Sequence, residues 1–181
     1  LAKSNLHVAV VGAIDAETLK ADLDRIFGDR VVILGSSLFL FPHPVRPLAD
    51  ALNGLLADYY ALYLKTKNFH WHVTGPHFRE YHLLFDEQAT ELIATTDLVA
   101  ERVRKLGQDT LTSIGSIAAK QRIADHDSTS TDAAAMLAAL HTDNETLIKA
   151  LKEAKGLAEE AGDNATDGLL DDWTDQAEQR A

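Results

Sequence analysis

From Pro47 onward the chain keeps helical periodicity almost without interruption, and that feature decides what it can fold into. Apolar side chains recur at three- and four-residue spacing over about 48–72, with Leu48, Leu52, Leu55, Tyr59, Leu62 and Phe69 near one face. Thr74-Gly75-Pro76 ends that run. A second helix is predicted over about 77–106, carrying Leu84, Gln88, Leu92, Val99 and Val103 and stopped by Gly107. Ile114 and Ile117 mark one or two helical turns in the connection that follows. A third long helix spans about 131–156, opened by Ser130 or Thr131 and closed by Gly156. A fourth starts near Asp163 with Leu169, Leu170 and Trp173. Each apolar stripe must be buried against another, so the expected class is all-α, a four-helix bundle with a short helix between its second and third members.

The first 44 residues have a different character. Leu6–Val11 reads as a strand, 15–27 as a helix stopped at Gly28, and Val31–Leu34 as a second strand, before Pro42, Pro44 and Pro47 punctuate the chain. The expected organisation is a small β-α extension over 1–44 and a helical domain over 45–181. The first 30 residues weakly resemble a piece of a pitrilysin-type zinc peptidase domain, through VVGAID and the later IFGD. That family needs His-x-x-Glu-His, and His77-Phe78-Arg79-Glu80-Tyr81-His82 has one residue too many.

The 181 residues include no cysteine, which removes disulfides, thiolate metal sites and cysteine nucleophiles. Chemistry falls to histidine, carboxylates and hydroxyls. The formal net charge is −11, from 28 acidic against 17 basic residues, which suits cations and opposes nucleic acid. Val31–Phe41, the longest apolar stretch, is far short of the ~20 residues a membrane helix needs. The N-terminus makes a poor signal peptide, so a cytoplasmic location is the expectation.

The candidate chemistry lies around the second helix. With His82 set to zero and about 100° per residue, Asp86 falls at about 40°, Asp97 at about 60° and Glu101 at about 100°. His82/Asp86 and Asp97/Glu101 are i,i+4 pairs, and His70 stands at the end of the first helix. Histidine with carboxylate is a normal ligand set for divalent iron, zinc or manganese. The same spacing also suits a solvated face with Arg102 or Arg104 nearby. Asp86 and Asp97 are roughly 16 Å apart along the helix axis, too far for one metal within one chain. Either there are two half-built sites, or a two-fold dimer sets the His82/Asp86 end of one chain against the Asp97/Glu101 end of another. The spacing points to the second.

Leu62–Gly107 (LYLKTKNFHWHVTGPHFREYHLLFDEQATELIATTDLVAERVRKLG) closely resembles the core of the Dps family, the ferritin-like mini-ferritins of starved cells. The motif is Lys-x-x-Asn-Phe-His-Trp-x-Val-x-Gly-Pro-x-Phe, then a histidine, an aspartate four later, and Asp-x-x-x-Glu eleven further on. The resemblance runs over about 45–181 and implies a ferritin-like bundle in a hollow dodecamer. It implies that His70, His82 and Asp86 come from one subunit of a ferroxidase centre and Asp97 and Glu101 from its two-fold partner. Glu101 would be the bridging carboxylate and Trp71 the aromatic beside the centre. The implied reaction is oxidation of Fe(II) by hydrogen peroxide, or by dioxygen, with ferric oxide stored inside the shell and DNA thereby protected. Iron is the implied metal; zinc or manganese at the same ligands, without redox turnover, is an alternative.

Asp163, Asp167 and Asp171 recur at i, i+4 and i+8 at the start of the fourth helix. In the family, acidic residues near here line iron-entry pores, although Gly168 stands where a carboxylate is common. The same residues would also complement a helix dipole. His72 and His77 are left outside the ligand set. A second alternative is a structural cage on the nucleoid, for which the family uses a Lys/Arg-rich tail. Residues 1–50 hold five basic residues (Lys3, Lys20, Arg25, Arg30, Arg46) against six acidic ones, without a cluster. Direct DNA binding is therefore expected to be weak or absent.

Overall fold

The computed structural model describes residues 17, 18, 21, 25, 31–34, 37–40 and 45–181. Glu17, Thr18, Ala21 and Arg25 are helical and exposed, within the helix expected over 15–27, while the strand expected at Leu6–Val11 lies outside the described residues. Strand β1 (Val31–Leu34) is where it was expected. It pairs antiparallel with β2 (Ser37–Leu40), in the register Val31↔Leu40 to Leu34↔Ser37. The second strand comes from the latter part of the same apolar run.

The helical part comprises α1 (Val45–His72), α2 (Phe78–Lys105), the short α3 (Ile114–Ala118), α4 (Ala133–Ala161) and α5 (Asn164–Arg180). α1 packs along α2, α4 packs along α5, and α1 also faces α4, giving the four-helix bundle. Leu48, Leu52, Leu55, Tyr59, Leu62 and Phe69 are fully buried, as the periodicity of α1 requires. On α2 the buried line is Phe85, Leu92, Val99 and Val103, so the core face passes through Phe85 and leaves Leu84 exposed. α4 presents Ala150, Ala154, Ala158 and Ala161, and these small side chains let it lie close to Leu170, Trp173 and Ala177 of α5. No helix among the described residues is long and apolar enough to cross a membrane.

α4 differs from expectation at both ends. Its N-cap is Asp132, whose carboxylate accepts from the Ala135 N–H at 3.1 Å, so neither Ser130 nor Thr131 caps it. The helix runs through exposed Gly156 and stops only at Gly162, which takes the left-handed φ of 66°. A glycine in a helix interior costs about 1 kcal/mol, which the burial of Ala158 and Ala161 beyond it outweighs. Polar pins fix the elements to one another. Asp58 of α1, wholly buried, accepts from the Arg122 N–H, Nε and Nη2 at 2.6–2.7 Å and so anchors the chain after α3. Lys65 of α1 donates to Asp143 of α4 at 2.6 Å.

Candidate metal centre

The turn from α1 to α2 brings His70 and His82 together. Gly75 (φ 94°) and His77 (φ 63°) both adopt left-handed backbone, which reverses the chain within five residues and sets the last turn of α1 beside the first turns of α2. The His70 Nδ1–H donates to the main-chain carbonyl of His82 at 2.8 Å, and the His82 Nδ1–H donates to the carbonyl of His70 at 2.9 Å. A carbonyl only accepts, so each ring carries a proton on Nδ1, and in its neutral form exposes a lone pair at Nε2. The rings stack with centroids 3.8 Å apart and planes 21° from parallel. Phe78, the first residue of α2, stacks on His82 at 5.1 Å and 29°. This is the orientation of histidine a metal requires, with the second nitrogen already committed to an outer partner.

Asp86 stands one turn further along α2, with an Oδ1 3.9 Å from His70 Nε2. The same oxygen accepts from Lys67 Nζ at 2.7 Å. That hydrogen bond is the main reason the Asp86 carboxyl lies below the usual carboxylate range; partial desolvation opposes it, and the charge of Lys67, with that of either imidazole when protonated, adds to it. Trp71 is 59% exposed beside the group, with Lys67 Nζ 5.9 Å from its ring centroid. Lys67 was not singled out from the sequence, although its place three residues before His70 puts it on the same face of α1. His72 turns back to the Asn68 carbonyl (2.8 Å) and His77 lies against Tyr81, so both stay outside the group.

Asp97 and Glu101 lie near the opposite end of α2, exposed, and line an open pocket with Ala100, Arg104, Lys105 and Thr110. Glu101 accepts from Lys105 at 3.0 Å. The structure therefore brings His70, His82 and Asp86 together and leaves Asp97 and Glu101 apart from them. Among the described residues no three histidines or carboxylates converge closely enough to hold a metal ion. Among the described residues the exposed large apolar side chains are Leu64 and Trp71 on α1 and Phe78, Leu83, Leu84 and Leu98 on α2, the helices that carry the two groups, and Ile114 on α3.

The three aspartates near α5 each have a cation partner. Asp163 is the N-cap of α5, accepting from the Thr166 N–H at 3.1 Å, while Arg102 Nη2 lies 2.6 Å from both carboxylate oxygens. Burial pushes its carboxyl up, but the Arg102 and Thr166 donors together outweigh that and hold it below the usual range. Asp167 and Asp171 share Lys155, at 2.7 and 2.9 Å, and these two hydrogen bonds push the Lys155 ammonium up to about 12. The acidic stripe read from the sequence is thus a helix cap and a lysine clamp within one chain.

The Ferritin-like domain family matches residues 49–181. The DNA protection during starvation protein of Brevibacillus brevis is 35% identical over 125 residues, which span 68% of this chain and 83% of that protein. An uncharacterized low temperature-induced protein of Nostoc is 38% identical over 104 residues, and the match spans only 58% of either chain. The crystal structure of the Vibrio cholerae Dps protein, described as a member of a broad superfamily of ferritin-like diiron-carboxylate proteins, is similar with a TM-score of 0.71. It is 31% identical, over 75% of this chain and 84% of that one. A bundle of four helices, a paired-histidine motif at the α1–α2 turn and a family match across nearly three-quarters of the sequence agree: the chain belongs to the Dps family of ferritin-like proteins.

Proposed function

We propose that this protein is a ferroxidase and iron-storage subunit that assembles with further copies of itself into a dodecameric shell. The observation that carries the reading is the mutual lock of His70 and His82. It presents two Nε2 lone pairs next to the ionised carboxylate of Asp86, an N,N,O half-set that lacks only hard anionic oxygen on its open side. Asp97 and Glu101 are such oxygens, roughly 16 Å away along the same helix. Two copies of α2 laid antiparallel across a two-fold axis would complete two equivalent centres. The likeness to a diiron-carboxylate protein of Vibrio cholerae supports iron as the substrate metal.

In the reaction two Fe(II) each give up one electron and hydrogen peroxide accepts both. The O–O bond breaks, two hydroxides result, and hydrolysis of Fe(III) to ferric oxide returns protons to solvent. Taking both electrons at one centre avoids release of hydroxyl radical. The chain's own groups hold and orient: His70 and His82 through Nε2, Asp86 and Glu101 as carboxylates that favour the harder ferric ion, Asp97 beside Glu101. Lys67 and Lys105 occupy the carboxylates when iron is absent and are displaced on loading. Asp163, Asp167 and Asp171, held in the single chain by Arg102 and Lys155, are proposed to face an entry path for cations formed with neighbouring copies. A charge of −11 per chain opposes direct contact with DNA. DNA is then protected by removal of Fe(II) and peroxide; the Brevibacillus relative is named for DNA protection during starvation.

The test is anaerobic Fe(II) loading followed by stoichiometric peroxide, with ferric absorbance followed in the parent and in Asp97→Ala/Glu101→Ala. Fast oxidation in the parent is expected, with a loss in the variant of at least the roughly 100-fold that removing an outer partner alone can cost. Equal rates would remove these carboxylates from the centre. Metal binding by the parent without any ferric product would favour a non-redox zinc or manganese cage.

A further inference from the structure

We infer that Phe78 is a positioning residue for His82, fixing the direction of its Nε2 before iron arrives; the inference rests on the metal-centre reading above. Phe78 is 45% exposed and has no place in the hydrophobic core. Its chemical contact is the His82 ring, four residues on along α2, at 5.1 Å and 29°. His70 covers the other side of that ring at 3.8 Å, since two rings cannot share one face. The ring is held at Cγ by its own side chain and at Nδ1 by the hydrogen bond to the His70 carbonyl, so its remaining freedom is libration about the Cβ–Cγ bond within the tolerance of that hydrogen bond. That libration tilts the Nε2 lone pair away from its line. Two flat walls limit it. His70 needs no such wall, because its side chain is only 12% exposed and sits between helices.

The left-handed backbone at His77 is part of the same device. It lets α2 begin at Phe78 directly after the turn, so that residue 78 falls one helical turn before the ligand. A phenylalanine exposed to this degree is also suited to contact with another copy. Ring stacking and simple apolar coverage therefore have to be separated by experiment. Phe78→Leu keeps an apolar side chain of similar size, so assembly, followed by size exclusion, is held while the flat ring is lost.

The experiment uses the assembled full-length protein and Co(II), whose visible absorption reports ligand geometry without turnover. Phe78→Leu and Phe78→Ala are expected to weaken Co(II) binding by roughly tenfold and to alter the band shape, the size of effect seen when an outer partner of a metal ligand is removed. Phe78→Tyr restores the ring and should bind within about twofold of the parent. His82→Ala is the control and should lose the band. Parental affinity and band shape in Phe78→Leu, with loss in His82→Ala, would overturn the positioning role and leave the centre standing. An unchanged spectrum in His82→Ala would overturn the centre itself, and the inference with it.

Discussion

Tyr59 is fully buried in the bundle core, and its hydroxyl meets no partner at good hydrogen-bond geometry among the described residues, although the Arg180 guanidinium lies near it. Burial pushes the phenol up to about 12 from 10.0, with the nearby Arg180 guanidinium pulling back less. The folded state therefore holds a proton that the unfolded state gives up first. The stability this contributes is complete below about 10 and is lost as the pH rises towards about 12. Tyr59→Phe should gain about 1 kcal/mol at neutral pH, because an unpartnered hydroxyl leaves the core, and should lose this part of the alkaline decline. Denaturant unfolding at a series of pH values measures both, and the tyrosinate absorbance of the parent minus that of the variant should rise near 12. A variant less stable than the parent at neutral pH would mean that the hydroxyl has a partner after all. The sequence shows Tyr59 as a core position, since it falls on the stripe of α1. It does not show the bare hydroxyl, which depends on Asn144 and Glu91 being the groups that meet Arg180. The same holds at His70 and His82: they stand out in the sequence as candidate ligands, whereas their mutual Nδ1 lock depends on how two helix ends meet.

Gly156 and Gly162 bracket the last turns of α4 and carry opposite predictions. Gly156 sits in the exposed helix interior, and a Cβ added there meets nothing within 4 Å. Gly156→Ala should stabilise by roughly 0.8–1 kcal/mol through backbone entropy and propensity. Gly162 has φ 66° and closes the helix, with its own N–H donating to the Glu159 carbonyl at 3.0 Å. Alanine there should cost about 1–2 kcal/mol. The two sites are roughly 9 Å apart along the axis, so the double variant should add and fall near the parent. Urea midpoints of the three variants check this, and a loss in Gly156→Ala would place a hidden contact on that face. These two glycines also show why the end of α4 was not legible. Both are glycines followed by Leu or Asp, and only the burial of Ala158 and Ala161 against α5 tells which one stops the helix. Helix existence was readable throughout because the apolar stripes are long. Caps were less so, since Ser130, Thr131 and Asp132 are equally competent oxygens and the turn before α4 selects among them. The aspartates of α5 were visible as a spacing, but Arg102, 61 residues before Asp163, was not visible as the partner of the first, nor Lys155 as that of the other two.

At the scale of the whole molecule, the two halves of the proposed centre fail to meet within a chain, and this makes the assembly testable by subunit mixing. His82→Ala/Asp86→Ala destroys one half of every centre, and Asp97→Ala/Glu101→Ala destroys the other. Each variant alone should be inactive. In a mixed two-fold pair, one centre takes its histidine half from the second variant and its carboxylate half from the first, so it is intact. The other centre combines both defects. Random pairing makes about half of the dimers mixed, each with one working centre of two, so co-expression should restore about a quarter of parental peroxide-dependent Fe(II) oxidation. The sequence spacing of roughly 16 Å led to this geometry, and the separate positions of Asp86 and Asp97 on α2 support it. The surface around both groups is consistent with burial by a second copy, since Trp71, Phe78, Leu83 and Leu98 are all exposed in the single chain. Two separate sites within each chain would behave differently. Each variant would then keep one working site, and mixing would give the average of the two rates with no recovery above it. Two inactive variants whose mixture stays inactive would instead mean that all five ligands are needed from the same chain, which the length of α2 forbids, or that the pairs do not exchange; tagged co-purification of the mixed pair decides between these.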